Sequence, residues 1–211
     1  MSPQADAPDL AAPGLTILAE AHWPPPDNPA APLPEAGRFT GSSFPHLVAA
    51  VADRCLSARR NGRDTASVSA DERTAVLLVT RRADTVTLRT VEEAGRAGVP
   101  VVTPLLLQIA PTAVLGHIAA TWSLGGPLLS ITPIGEPETD GLALAQQILA
   151  QGDAGEVLLI VADQAFEPAT HDVAHALLLT RPPALAAQEA GAVGNHVELS
   201  KGNTHDEDCL A

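Results

Sequence analysis

Residues 125–136 read GGPLLSITPIGE, and this stretch decides how the chain folds. A Gly-Gly-Pro triplet leads into an apolar run, which predicts a short strand over residues 128–132. Pro133 and Gly135 then indicate a tight turn. The Glu-Pro-Glu of residues 136–138 is typical of a first helical turn, where carboxylates interact favourably with the helix dipole. The local order is therefore strand, turn and helix.

The flanking sequence alternates between strand and helix patterns. The continuous apolar run at 74–80 predicts a strand that is buried on both faces, and residues 156–162 predict another. Residues 171–180 fit either a strand or a helix. Further elements are predicted as a short strand at 15–19 and helices at 47–56, 84–95, 111–122 and 140–151. Strands that alternate with helices indicate an α/β sheet covered on both faces.

The ends of the chain have a different composition from its middle. We expect residues 1–14 to be a disordered lead, residues 15–180 to form one domain, and residues 181–211 to be a flexible acidic tail. Six prolines between His22 and Pro34 predict an extended loop. The lead has neither a basic region nor an apolar run, so it does not read as a signal peptide.

Charge and composition exclude several classes of function. The net charge of -13 argues against nucleic-acid binding, which needs clustered Lys and Arg. The only basic cluster consists of Arg54, Arg59, Arg60 and Arg63, which we interpret as a solvated helix end. The absence of a long apolar stretch argues against a membrane span. Two cysteines make no disulfide framework, and this favours a reduced, cytoplasmic protein.

Several of these segments resemble the N-terminal half of β-ketoacyl synthases, which belong to the thiolase-like superfamily. The segments are PLLLQ at 104–108, PTAVLGHIA at 111–119, GGPLLSITPIGE at 125–136, LALAQQILAQGD at 142–153 and EVLLIVA at 156–162. In that family a cysteine nucleophile follows the Gly-Pro strand and opens a buried helix. Counted without a gap, that cysteine falls on Gly135.

The resemblance implies a fold and a mode of assembly. The fold would be half of a thiolase-like domain, a mixed five-stranded sheet with helices on both faces. In the family, the strand before the nucleophile pairs with its mate across a dimer, and residues 128–134 would be that strand here. We therefore expect a homodimer, or a heterodimer with a full-length ketoacyl synthase. An acyl carrier protein is a further candidate partner.

The resemblance also implies that the condensing chemistry is missing. Gly135 has no attacking group, and the family's second half, which supplies two catalytic histidines, has no counterpart here. The leading hypothesis is a non-catalytic, chain-length-factor-like accessory subunit of a type II fatty-acid or polyketide (polyene) system. The alternatives are a divergent decarboxylase or hydrolase acting on acyl thioesters, and a stand-alone acyl-binding module.

The resemblance points to a small set of site residues. Acyl-pocket candidates are Thr112, Gly116, Ile134, Gly135 and Glu136, with helices 111–122 and 140–151 as walls of an acyl tunnel. Glu136 is also a weak catalytic candidate, although helix capping explains it more simply. No cofactor is expected.

Two histidines raise the question of a metal site. His171 and His175 would share a face if they lay on a helix, with Asp163 and Asp172 nearby in sequence. They lack an obvious third ligand, and we expect an ordinary pair of histidines and no bound metal.

Overall fold

A mixed five-stranded sheet forms the centre of the protein. This computed structural model describes residues 14–37, 39–61, 73–165 and 172–182. The strands are β1 (Thr16–Trp23), β2 (Thr74–Val79), β3 (Leu128–Ile131), β4 (Glu156–Asp163) and β5 (Val173–Thr180). Their order across the sheet is β1-β5-β4-β2-β3. Strands β2, β3 and β4 are parallel, whereas β5 runs antiparallel to both β4 and β1.

Helices cover both faces of this sheet. They are α1 (Phe44–Asn61), α2 (Thr85–Arg96), α3 (Thr103–Gln108), α4 (Thr112–Trp122) and α5 (Pro137–Gln151). Helices α1 and α4 pack in one apolar cluster, and α5 packs in a second cluster on the other face. Helices α2 and α3 contact each other, and α3 contacts α4. The predicted fold, a mixed five-stranded sheet between helical layers, is confirmed.

The central strands are buried because both of their faces are apolar. Val76 and Leu78 of β2 belong to the cluster with α1, while Leu77 and Val79 belong to the cluster with α5. This division follows from the two-residue repeat of a strand. Each such side chain contributes roughly 1.5–3 kcal/mol on burial, so the run at 74–80 is the main anchor of both layers.

Two glycines allow close packing around the sheet. A Cβ atom on Gly126 would lie 2.5 Å from the backbone of Thr74 and Ala75, so the chain can enter β3 beside β2 only with glycine there. A Cβ atom on Gly141 would lie 2.6 Å from the Leu159 side chain, which lets α5 approach β4 closely.

Several element boundaries differ from the prediction. Strand β1 continues to Trp23, so His22 belongs to the sheet and not to the proline-rich loop. Residues 173–180 form a strand and not a helix, the two alternatives that the sequence left open for residues 171–180. Helix α3 was not predicted, since Pro104 and a three-leucine run show no clear period.

Most of the two predicted terminal segments lies outside the described residues, which include only positions 14, 181 and 182 of them. Within the described part of the chain, none of the helices has the length and apolarity that crossing a membrane requires.

Candidate functional site

Two helices begin at the same edge of the sheet. Helix α2 follows β2 and α5 follows β3, and because these strands are parallel, both connections leave from their carboxyl ends. Strand β4 also ends at this edge, at Asp163. Ligand sites of open α/β sheets gather at this kind of edge. We therefore take the residues around the two helix starts as the candidate functional site.

The turn before α5 is closed by a carboxylate from the helix itself. The backbone N–H groups of Ile134 and Gly135 donate to Asp140 Oδ2 at 2.7 and 2.9 Å. In an acyl-transfer enzyme, such N–H groups would be available to an oxyanion. Here they already bind a negative charge, and a second anion at the same position would be repelled.

Gly135 has room for a side chain but lacks a chemical group of its own. A Cβ atom there would lie 3.5 Å from Asp140 Oδ1, which is an ordinary contact. A thiol at this position would therefore face a carboxylate, which opposes formation of a thiolate. Neighbouring Ile134 is fully exposed.

Glu136 occupies the N-cap position of α5, but its side chain makes no capping hydrogen bond. Its carboxylate is 83% exposed and lies 3.8 Å from the Arg81 guanidinium. The expected capping by this side chain is wrong, because Asp140 accepts the bonds from the turn.

The acyl-pocket candidates form two separate groups. Thr112 and Gly116 lie on α4, whereas Ile134, Gly135 and Glu136 lie at the start of α5. Because the sheet separates the apolar clusters of α4 and α5, these helices do not face each other across a tunnel within the described chain.

A second group at this edge contains two histidines and two glutamates. Glu20 Oε1 lies 3.0 Å from Nε2 of both His22 and His175. The two imidazole rings stack at 4.2 Å with an interplanar angle of 4°. On the other side of His175, Nδ1 lies 3.1 Å from Glu138 Oε1 of α5.

The structure gives His175 a neighbour that the sequence analysis did not name. His175 lies on a strand, so it shares no helix face with His171, which is outside the described residues. Its neighbour is His22, directly opposite it on β1. The only sequence signal was a period-two pattern in residues 19–23, where Glu20 and His22 alternate with Ala21 and Trp23.

A buried polar network surrounds Asp84, the N-cap residue of α2. Its carboxylate accepts hydrogen bonds from Ser42 Oγ at 2.6 Å, Thr87 Oγ1 at 2.6 Å, Thr87 N at 3.0 Å and Gln108 Nε2 at 3.3 Å. The Gln164 amide donates to Ser42 and Ser43. The network thus ties α2, α3, the loop before α1 and the segment after β4 together.

The remaining reactive and basic side chains are committed elsewhere. Cys55 is fully buried, and this burial raises the pKa of its thiol to about 12, so it is no nucleophile. The basic cluster lies in the second half of α1, where Arg54 and Arg60 are exposed and Arg59 is half-buried. Arg54 lies near Asp27, Arg59 bonds Glu156, and Arg60 lies over the Trp122 ring. The fourth member of the cluster, Arg63, lies outside the described residues.

Comparison with known proteins supports the fold. The sequence matches no family model and no curated protein. Among solved structures, it resembles a ketosynthase (ApeO) in complex with its chain length factor (ApeC) from Xenorhabdus doucetiae. That match has a TM-score of 0.60 and 13% identity, and it covers 80% of this chain and 79% of that chain.

Two longer chains give similar agreement. A β-ketoacyl synthase from Burkholderia phymatum matches with a TM-score of 0.59 and 14% identity over 77% of this chain and 48% of that chain. The ishigamide ketosynthase/chain length factor matches with a TM-score of 0.58 and 17% identity over 74% and 49%. This chain thus spans about half of these two. At such identities the likeness establishes the thiolase-like ketosynthase fold and confirms the predicted resemblance at that level.

Proposed function

We propose that this protein is a non-catalytic ketoacyl-synthase-like subunit of a type II fatty-acid or polyketide system, with a chain-length-factor-like role. The observation that carries the proposal is the turn before α5. Gly135 provides no nucleophile, and Asp140 occupies the two backbone N–H groups that could bind an oxyanion. A ketosynthase fold with this turn is better suited to supporting a catalytic partner than to condensing thioesters itself.

An unpaired sheet edge and an apolar surface support a partner subunit. Among the strands of the described residues, β3 is the last in the sheet, and none of them pairs with its outer side. Large apolar side chains are also exposed on α2, α3, their connection and the β3 region, namely Val86, Leu88, Val99, Val102, Leu106, Leu107, Leu128 and Ile134. Exposed large apolar side chains in such number are typical of proteins that bind a partner.

We infer that the partner is a full-length ketoacyl synthase, with a homodimer as the competing assembly. Two of the similar structures are described as a ketosynthase with a chain length factor, which favours the heterodimer. We assign the docking of any acyl carrier protein to the partner, because Arg54, Arg59 and Arg60 already contact residues of this chain.

Neither alternative function gains support from a specific contact. A decarboxylase or hydrolase that uses Glu136 would need a carboxylate shielded from water, and this one is 83% exposed. A stand-alone acyl-binding module would need an enclosed apolar cavity, and the acyl-pocket candidates in the described residues lie on opposite faces of the sheet.

The test is co-expression with a candidate full-length ketoacyl synthase, followed by measurement of complex mass and thioester condensation. We expect a heterodimer and a gain in condensation over either protein alone. Ile134→Asp should abolish association, because it places a charge beside the β3 edge. Val173→Asp is the matched control, since Val173 is also exposed but lies on β5, away from β3.

Three results would refute the proposal. They are condensation by the isolated chain, a complex without any gain in activity, and unchanged association of the Ile134→Asp variant.

A further inference from the structure

Pairing of β1 with β5 assembles three potential metal ligands on one face of the sheet. His22 and His175 are direct partners in the strand register. Glu20 lies two residues before His22, so its side chain points to the same face. The distance along the sequence from Glu20 to His175 is 155 residues, which means that only the folded sheet brings these groups together.

The ligand atoms already lie close to the spacing of a zinc site. Glu20 Oε1 is 3.0 Å from both imidazole Nε2 atoms, and all three ligand atoms lie within 4.8 Å of one another. In a tetrahedral zinc site with bonds of about 2.0–2.1 Å, two ligand atoms are roughly 3.3 Å apart. The side chain of His22 is 47% exposed, so its ring is free to adjust.

Two carboxylates flank the His175 ring. Glu138 Oε1 lies 3.1 Å from its Nδ1, and Glu20 Oε1 lies 3.0 Å from its Nε2. Two negative charges this close to one imidazole favour a cation at the same place.

Within the described residues, Glu138 Oε1 also lacks a hydrogen-bond donor. It is buried, and its contact with His175 has the distance of an ion pair but not the direction of a hydrogen bond. A cation bound beside His175 would compensate this carboxylate.

We propose that Glu20, His22 and His175 bind one Zn²⁺ ion, and that Glu138 orients His175. Two imidazoles and one carboxylate form a known zinc ligand set, which leaves a fourth position for water. An open groove of about 470 Å³ adjoins the site and has both histidines in its wall, so water and small ligands reach that position. The ion would join edge strand β1 to β5 and, through Glu138, to the start of α5.

The proposal is tested on the full chain after chelator treatment. Zn²⁺ is titrated by calorimetry, and Co²⁺ is followed by its visible absorption. We expect one equivalent of Zn²⁺ to bind and to raise the melting temperature, because a ligand specific for the native state stabilises it. Mg²⁺ should not bind, since imidazole is a poor ligand for that hard cation.

Variants separate the ligands from the orienting residue. Glu138→Gln should weaken Zn²⁺ binding about 10–100-fold, as is typical of a residue that positions a ligand. Glu20→Gln and His22→Ala should weaken it further, and both stay folded because these side chains are about half exposed on an edge strand. The matched control is the double variant His196→Ala/His205→Ala, which lies outside the described residues and should bind Zn²⁺ like the wild type.

Either of two outcomes would overturn the inference. One is the absence of a single-equivalent site in the wild type, which would leave a purely hydrogen-bonded His-Glu-His group. The other is Zn²⁺ binding that Glu20→Gln and His22→Ala leave unchanged or that the tail variant removes.

Discussion

Helices α2 and α5 start at the same edge of the sheet, and a carboxylate stabilises each start in a different way. Asp84 is buried and accepts bonds from Ser42, Thr87 and Gln108, which come from three separate segments. Asp140 is half-buried, and its donors among the described residues are two N–H groups of the turn immediately before its own helix. A carboxylate with distant donors supports the tertiary structure, whereas one with local donors shapes a turn.

The largest effect expected from this comparison is for Asp84→Ala. The substitution removes the acceptor of the buried Ser42 hydroxyl and of the Thr87 hydroxyl and N–H, which should lower the free energy of unfolding by about 3 kcal/mol. The Gln108 amide keeps its bonds to Thr40 and Thr87. Urea denaturation measures this loss. Asp84→Asn retains one acceptor oxygen and should lose less. A loss of less than about 1 kcal/mol for Asp84→Ala would show that the network is not a tertiary anchor.

A smaller effect is expected for Asp140→Ala. It removes the acceptor of two backbone N–H groups at a partly exposed turn, so the cost should resemble that of a lost helix cap, about 1 kcal/mol. Thermal unfolding checks this value. Asp153→Ala, at an exposed position after α5, is the control and should stay within about 0.5 kcal/mol of the wild type. If Asp84→Ala and Asp140→Ala lose equal free energy of unfolding, the proposed difference between a tertiary and a local role of these carboxylates is wrong.

The smallest effect on stability is expected for Gly135→Cys. This variant tests whether the turn before α5 can activate a thiol. The new side chain fits, but the Asp140 carboxylate beside it should keep the thiol pKa from falling. We expect slow alkylation at neutral pH and no thioester condensation. The measurement uses a Cys209→Ser background, in which the remaining Cys55 is buried and unreactive.

A second substitution shows whether Asp140 is the cause. Adding Asp140→Asn to Gly135→Cys should speed alkylation of the thiol, because the negative charge is gone and the helix start then favours the thiolate. If alkylation of Gly135→Cys is already fast, the interpretation of the turn as chemically closed is wrong.

Elements with a strong local pattern were predictable. The apolar run of β2 and the Gly-Gly-Pro entry to β3 appear as expected, since neighbouring residues dictate them. The helix predicted over 140–151 is present as α5, which begins three residues earlier, at Pro137. Strand β1 was predicted too short because Glu20 and His22 are polar, and their alternation with Ala21 and Trp23 spans only a few residues. Edge strands with one polar face give weak signals of this kind.

The candidate site was predictable only in part. The position of Gly135 at the start of α5 follows from the motif, but the source of the carboxylate that closes its turn does not. Glu136, Glu138 and Asp140 all lie in or beside the first turn of α5, and sequence spacing does not distinguish them. The backbone angles of the turn direct its N–H groups to Asp140, and leave Glu136 near Arg81 and Glu138 near His175.

Local order along the chain was thus set by short-range preferences: apolar repeats, glycines where a backbone comes close, and prolines where a hydrogen bond is absent. The cluster of Glu20, His22, His175 and Glu138 arose only on folding, because its members belong to three elements that meet through strand pairing and helix packing. Side chains far apart in sequence become neighbours when the sheet buries its apolar faces, and a polar group's new neighbours depend on that whole arrangement.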